Sequence, residues 1–208
     1  RKNLYNKLNN NLPLLASALY SQYYNSFSNH PIGRLKEVHN GMLSAFRIDS
    51  ISNSTIENID SLSWVYGVTI DSLNKVLVAS TVPSIISQLK SDINFYCQLK
   101  TILKNNGKIL MREIDSLASI KLDESKVINE SISTNEEILN NDKVINNVMN
   151  DYLKRNENDF TESEKQSVLF IANLCPFESG EAVYKARSLA VKFDVETEYD
   201  DISLCHST

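Results

Sequence analysis

Apolar positions recur at helical spacing through most of this chain, and polar turns separate the runs. Behind Pro13, which suits a first helical turn, Leu14, Leu15, Ala18, Leu19 and Tyr23 share one face of a helix expected to end near the segment SNHPIG, 28–33. A second helix starts about Ile32, with Ile32, Leu35, Val38 and Met42 in register, and runs out before Asp49. Residues 49–82 fit two short helices, with a short extended piece around Trp64 to Val68 as the alternative. Pro83 restarts the pattern. Ile86, Leu89, Ile93, Tyr96, Leu99 and Leu103 form the longest stripe, and Gly107 suits the left-handed position that closes a helix. Ile109, Leu110, Ile114 and Leu117 resume after it, so a helical hairpin turning at Gly107 is expected.

From Lys121 to Thr134 the chain is polar and holds no durable stripe. It is expected to be a linker at 121–133, dividing a helical region at 1–120 from a C-terminal helical region at 134–208. Thr134 with Glu137, and Thr161 with Glu164, have capping-box spacing and start the next two helices. Glu181 to Phe193 gives one more, with Ala182, Val183, Ala186, Leu189 and Ala190 on a small-residue face that permits close approach to its predecessor. The predicted fold class is all-α, an antiparallel helical bundle or hairpin array.

Composition agrees with that class and removes others. Among 208 residues there are only 5 glycines and 4 prolines, which disfavours a sheet protein built on tight hairpins. The longest apolar runs, such as Val76 to Ala79, fall far short of the ~20 residues a membrane-spanning helix needs, so no membrane span is expected. A net charge of −5 removes the main electrostatic term of nucleic-acid binding, so no nucleic-acid partner is expected. An opening of Arg-Lys-Asn-Leu-Tyr, already helical in composition, reads as a processed or excised piece.

Candidate chemistry is sparse. No Walker loop, Rossmann glycine pattern, zincin motif or nucleophile elbow occurs, and neither a catalytic residue nor a cofactor nor a metal is expected. His30 and His39 with Asp49 lack a recognised ligand spacing, and His206 beside Cys205 reads as a tail histidine. The acidic run Asp194, Glu196, Glu198, Asp200 and Asp201 lacks the glycine and ligand order of a calcium loop, although Asp200 or Asp201 can cap a helix or pair with Arg187. Tyr20, Tyr23, Tyr24 and Phe27 fit a core face better than a binding surface. Cys97 reads as a small buried hydrophobe. Cys175 and Cys205 either close a loop of about 30 residues, worth roughly 3–4 kcal/mol on the chain-entropy model, or stay reduced.

The C-terminal stretch carries a resemblance. Cys175, Pro176, Gly180, Ala182, Val183, Tyr184, Ala186, Arg187 and Leu189, then Tyr199, Asp200, Asp201 and Cys205, follow the order of a helical segment found upstream of the C-terminal sorting domain in Bacteroidetes proteins secreted by the type IX system. The resemblance covers about the last fifth of the chain, and Ser179 stands where a second glycine is expected. It implies export, a secreted or cell-surface location, type IX machinery engaged through a downstream domain, and with export the Cys175–Cys205 bridge. Ile-Asp-Ser-(Ile/Leu) occurs four times, and the flanking pattern reads either as helix capping or, in an exported protein of that phylum, as an O-glycosylation acceptor at Ser50, Ser61, Ser72 and Ser116. Asn53 and Asn129 match the eukaryotic N-linked pattern only by coincidence. The expected function is a noncatalytic extracellular helical module, a spacer or interaction segment of a larger protein with an unknown protein or glycan partner. An adhesin and a cytosolic helical scaffold are the alternatives.

Overall fold

The computed structural model describes residues 2–155, 159–194 and 197–206. Helices carry the fold, and among the described residues no strand forms. The chain divides into two units, one made of 1–46 with 118–208 and the other of 47–117.

The first unit opens with α1 (Lys2–Asn9), a 3-10 turn over Leu12–Ala16, and α2 (Ala18–Ser28). Pro13 does occupy a first turn, but of the 3-10 segment. Ser17 is extended and splits the helix that the apolar spacing predicts, leaving Leu19 72% exposed. The core side of α2 is carried instead by Tyr23, Tyr24 and Phe27, which pack with Tyr5 of α1. His30 caps α3 (Pro31–Ala45), its Nδ1 accepting the Ile32 N–H at 3.3 Å, and Ile32, Leu35, Val38 and Met42 are buried as their spacing predicts.

The stretch expected to be a linker is helical as far as Ser131, forming the end of α5 (Pro83–Ser131). Its inward face is Leu122, Ser125, Asn129 and Ile132, all buried in helical steps of three and four. Two of those four are polar, which hides the stripe from a hydrophobicity reading. A Cβ on Gly41 would lie 2.1 Å from Ser125 Oγ, so α3 and the end of α5 approach closely there and a larger residue requires the Ser125 hydroxyl to turn away. Lys143 closes α5 by donating to the Ile132 carbonyl at 2.7 Å and to that of Glu130 at 3.3 Å.

α6 (Glu137–Lys154) joins two cores, giving Leu139 to the α1–α3 cluster and Ile145 and Val148 to the C-terminal one. It starts without the expected capping box: Glu136 is its N-cap, and Thr134 Oγ1 only accepts the Glu136 N–H. The box at Thr161 and Glu164 does form and starts α7 (Glu162–Ala172). After a single turn, α8 (Pro176–Ser179), α9 (Ala182–Ala190) buries the five small and apolar residues predicted for its face, four of which, Ala182, Ala186, Leu189 and Ala190, cluster with Val168, Ile171 and Ala172 of α7. α10 (Asp201–His206) returns Cys205 to Cys175, and the disulfide forms with its Cα atoms 4.8 Å apart.

The second unit is a helical hairpin, but it turns at 80–82 and not at Gly107. α4 (Ser50–Ala79) is one helix of 30 residues where two were expected. Asp49 starts it, accepting the Ile51 and Ser52 N–H groups at 3.0 and 2.9 Å. Ile56, Ile59, Tyr66, Ile70 and Leu73 lie half-buried on a seam that advances by alternating three and four residues, the step of a coiled coil. The matching seam of α5 runs through Ile86, Leu89, Ile93, Tyr96, Leu103, Leu110 and Ile114. Ile59 meets Gly107 and Tyr66 meets Tyr96, so the arms run antiparallel over about 45 Å. Gly107 is a seam position inside α5, and the Asn-Asn-Gly that mimics a helix end is simply carried through.

Gly180 has φ +80° and ψ −163°, a region in effect reserved for glycine, and a Cβ there would meet Ile138 Cγ2 at 2.8 Å. Gly180→Ala is therefore expected to lower the unfolding free energy by about 2–3 kcal/mol. Gly107→Ala should act oppositely, raising it by about 0.5–1 kcal/mol, because its Cβ finds Ile59 at an ordinary 3.6 Å and the helix loses a flexible residue. Urea midpoints of the two variants check both signs.

Candidate functional site

α6 carries a buried polar face of Asn141, Asp142, Asn146 and Asn150. Asp142 is 1% exposed and takes two cations, the Lys2 ammonium from α1 and Lys185 Nζ of α9 at 3.1 Å. Glu181 lies 3.4 Å from Lys2, so four ionised groups from three elements interlock. A cavity of about 90 Å³ lies beside them, bounded also by His39 of α3 and Asn146. Asn146 Oδ1 has no protein partner, and a space of that size suits a few waters bridging such a group. It is well under the roughly 300 Å³ at which small-molecule pockets begin. Burial, then the Lys185 and Lys36 charges, push the His39 pKa below its ordinary value, against a weaker pull from Asp142 and Glu181. His39 is accordingly neutral at pH 7.

A larger concavity of about 580 Å³ opens between α1, α2, α3 and the end of α5. Its wall is charge-balanced, Lys36 and Lys121 against Glu37 and Glu124. Several of its polar groups are already engaged: Tyr24 donates to Asn9 Oδ1 at 3.0 Å, and Lys121 to the Ser44 carbonyl at 2.9 Å. Tyr5, stacked on Tyr24 at 4.8 Å, is held protonated by burial and then by its hydrogen bond with Tyr24.

At the C-terminal end the residues that carry the resemblance meet in space. Arg187 Nε donates to the Ala172 carbonyl at 3.0 Å, its guanidinium pairs with Asp201 at 2.7 Å, and it lies over the Tyr199 ring at 4.5 Å. Asp200 accepts the Ile202 N–H at 3.1 Å and the Ser203 hydroxyl at 2.6 Å, starting α10. Both aspartates thus have the capping and pairing roles their positions suggest. Glu196 of the same acidic run lies outside the described residues, and among the described residues no group of three acidic, histidine or cysteine side chains is placed to hold a metal.

No protein family, curated protein or solved structure matches this chain. Its functional reading therefore rests on geometry. Ser50, Ser61, Ser72 and Ser116 all lie on helices and all are exposed. Only the first of the four Ile-Asp-Ser repeats caps a helix; Asp60, Asp71 and Asp115 fall in helix interiors where no free N–H awaits them. Cys97 is exposed, contrary to its reading as a buried hydrophobe, because it lies one position after the seam residue Tyr96, on the face turned away from the other arm. Asn129 is fully buried and donates to the Lys143 carbonyl and Asn147 Oδ1, which leaves its amide unavailable for modification.

The hairpin carries what the sequence reading missed. Side chains one position after the seam on each arm, among them Asp60, Lys104, Lys108 and Met111, line one shallow groove of about 620 Å³ and so share a face. Residues one position before the seam then share the opposite face. There Leu62, Val65 and Val76 of α4, with Ile85, Phe95, Ile102 and Ile109 of α5, are each between 42% and 55% exposed. Their signal was present as a second apolar series running one residue ahead of the first.

His39 gives a pH test of the polar cluster. Above its ordinary pKa of 6.5 both folded and unfolded chains hold it neutral; below, the unfolded chain takes up a proton that the fold resists, so stability falls. The unfolding free energy from urea titration is expected to drop between pH 7 and pH 5.5, by no more than about 1.4 kcal/mol per pH unit from this group, and His39→Gln to flatten that slope.

Proposed function

We propose that this chain is a noncatalytic extracellular interaction module of a larger secreted or surface protein, exported by the type IX route through a sorting domain downstream. The observation that carries the reading is the hairpin's apolar face. Seven large aliphatic or aromatic side chains stay exposed on one side of a two-helix unit, interrupted by polar residues such as Thr69, Ser72 and Asp92, and such a concentration of exposed apolar surface marks a contact face. Among the described residues, no helix is long and apolar enough to cross a membrane, so that face is not a spanning segment.

The compartment is read from the cysteines. Cys175 and Cys205 are bridged, and such bridges persist in oxidising surroundings and are rare in the cytosol. Export by the type IX route is taken from the resemblance of the stapled segment. The staple acts mechanically, holding α10 against α8. In an exported chain the exposed Ser50, Ser61, Ser72 and Ser116 are acceptors for short glycans, at least one of them occupied.

Intact mass of protein from its native source, alkylated with and without prior reduction, tests this reading. One labelled thiol, Cys97, rising to three on reduction is expected, with extra mass in sugar-sized steps. Three labels before reduction on a bare polypeptide would sink the extracellular assignment and favour the cytosolic scaffold.

A further inference from the structure

We propose that the apolar face of the hairpin docks a second copy of this chain, two hairpins closing into a four-helix bundle. This deepens the interaction-module reading and rests on it for the role of the face, while its physical argument comes from the helices alone.

Each arm has two apolar seams. The first faces the other arm. The second lies one residue ahead, which turns it about 100° around the helix. A two-stranded coiled coil uses one seam per helix, whereas in a square four-helix bundle every helix touches two neighbours at nearly right angles. α4 and α5 each have one neighbour and the apolar surface for two. Because the arms are antiparallel, their second seams fall on the same side of the hairpin, as the groove on the other side shows for the residues that follow the seam. The missing occupant is therefore a pair of antiparallel helices with seams in the same heptad step. A second copy supplies that pair, related by a two-fold axis that makes the contact self-complementary.

Charge and area agree. The second-seam positions of α5 carry two charges, Asp92 and Glu113, and those of α4 none, while the opposite face carries Glu57, Asp60, Asp71, Lys90, Lys104, Lys108 and Asp115 beside the exposed Trp64, Val78 and Met111. Docking through the apolar side keeps the charged side in water. With Ile51, 78% exposed at the same register, the apolar side chains of the face offer on the order of 800 Å² per copy, the share each partner gives to a stable interface. Alone, the hairpin buries little: no residue of α4 is buried. Knobs from a second hairpin would cover that seam.

Sedimentation equilibrium of the full chain at about 100 µM, far above the micromolar range of a weak interface of this size, tests the proposal. The expected mass is twice 23.5 kDa. Phe95→Glu with Ile102→Glu should return it to 23.5 kDa with helicity retained, and Val65→Glu alone should weaken association at least tenfold; Met111→Glu, on the other face, should leave the dimer intact. A monomeric wild type overturns the proposal, as does a dimer indifferent to Phe95→Glu/Ile102→Glu and Val65→Glu. So does a sugar on Ser72 of the native protein, since Ser72 lies on the docking face. A monomer that is nonetheless bridged and exported leaves the module reading standing, and a dimer with three free thiols removes the extracellular reading while the bundle remains.

Discussion

Asp142 is the constraint on which the first unit turns. A carboxylate at 1% exposure loses nearly all of its hydration, and leaving it unpaired would cost several kcal/mol. Two lysines prevent that, one at the second residue of the chain and one in α9, each keeping part of its side chain in water. The pairing brings α1 and α9 to the same point on α6. It also accounts for α1, a helix of eight residues that is too short to be stable by itself. His39 completes the enclosure without adding a charge, because burial first, and then the charges of Lys185 and Lys36, disfavour its protonation. The cluster holds the fold together and leaves space only for water.

The hairpin is stabilised on another principle. It has no buried ion pair, and its arms meet along a seam of half-buried aliphatic and aromatic residues. Serines at 52 and 63 and the glycine at 107 occupy seam positions and thin the contact further. A seam so composed gives register more than stability, through pairs such as Tyr66 with Tyr96 and Ile59 with Gly107. The second apolar series then follows as a physical requirement: surface that the hairpin does not bury internally is available for burial against something else.

Where a cap and a stripe coincide, the sequence was readable. α3 has Pro31 at its start and four apolar residues in step, α7 has its capping box, and α9 has its small face; all three start within a residue of expectation, although α9 ends at Ala190, three residues before Phe193. Errors arose where one cue was given too much weight. Asn-Asn-Gly at 105–107 has the composition of a helix end, yet the seam on both sides is in register, and continuity of packing outweighs about 1 kcal/mol of glycine propensity. The 121–133 segment misled because Ser125 and Asn129 are buried through hydrogen bonding and close approach, which no hydrophobicity pattern records. Asp142 gave no local signal at all, since its partners are 140 and 43 residues away. The second seam was legible in principle; it was missed because each apolar residue was assigned to one stripe per helix.

The C-terminal bridge and the Arg187 cluster act on the same 30-residue loop by different means. The disulfide restricts the unfolded chain, an effect of roughly 3–4 kcal/mol for a loop of that length, and adds no native contact of its own. Arg187 works on the folded side, giving a donor to the open carbonyl end of α7 while its charge and its flat face fix Asp201 and Tyr199. A lysine could supply the charge but not a fork that serves a carbonyl, a carboxylate and a ring together. Reduction would therefore loosen the tail without dispersing it, because α10 keeps its Asp200 cap and its tie to α9. Arg187 positions the segment, and the disulfide ties α10 back to the start of α8.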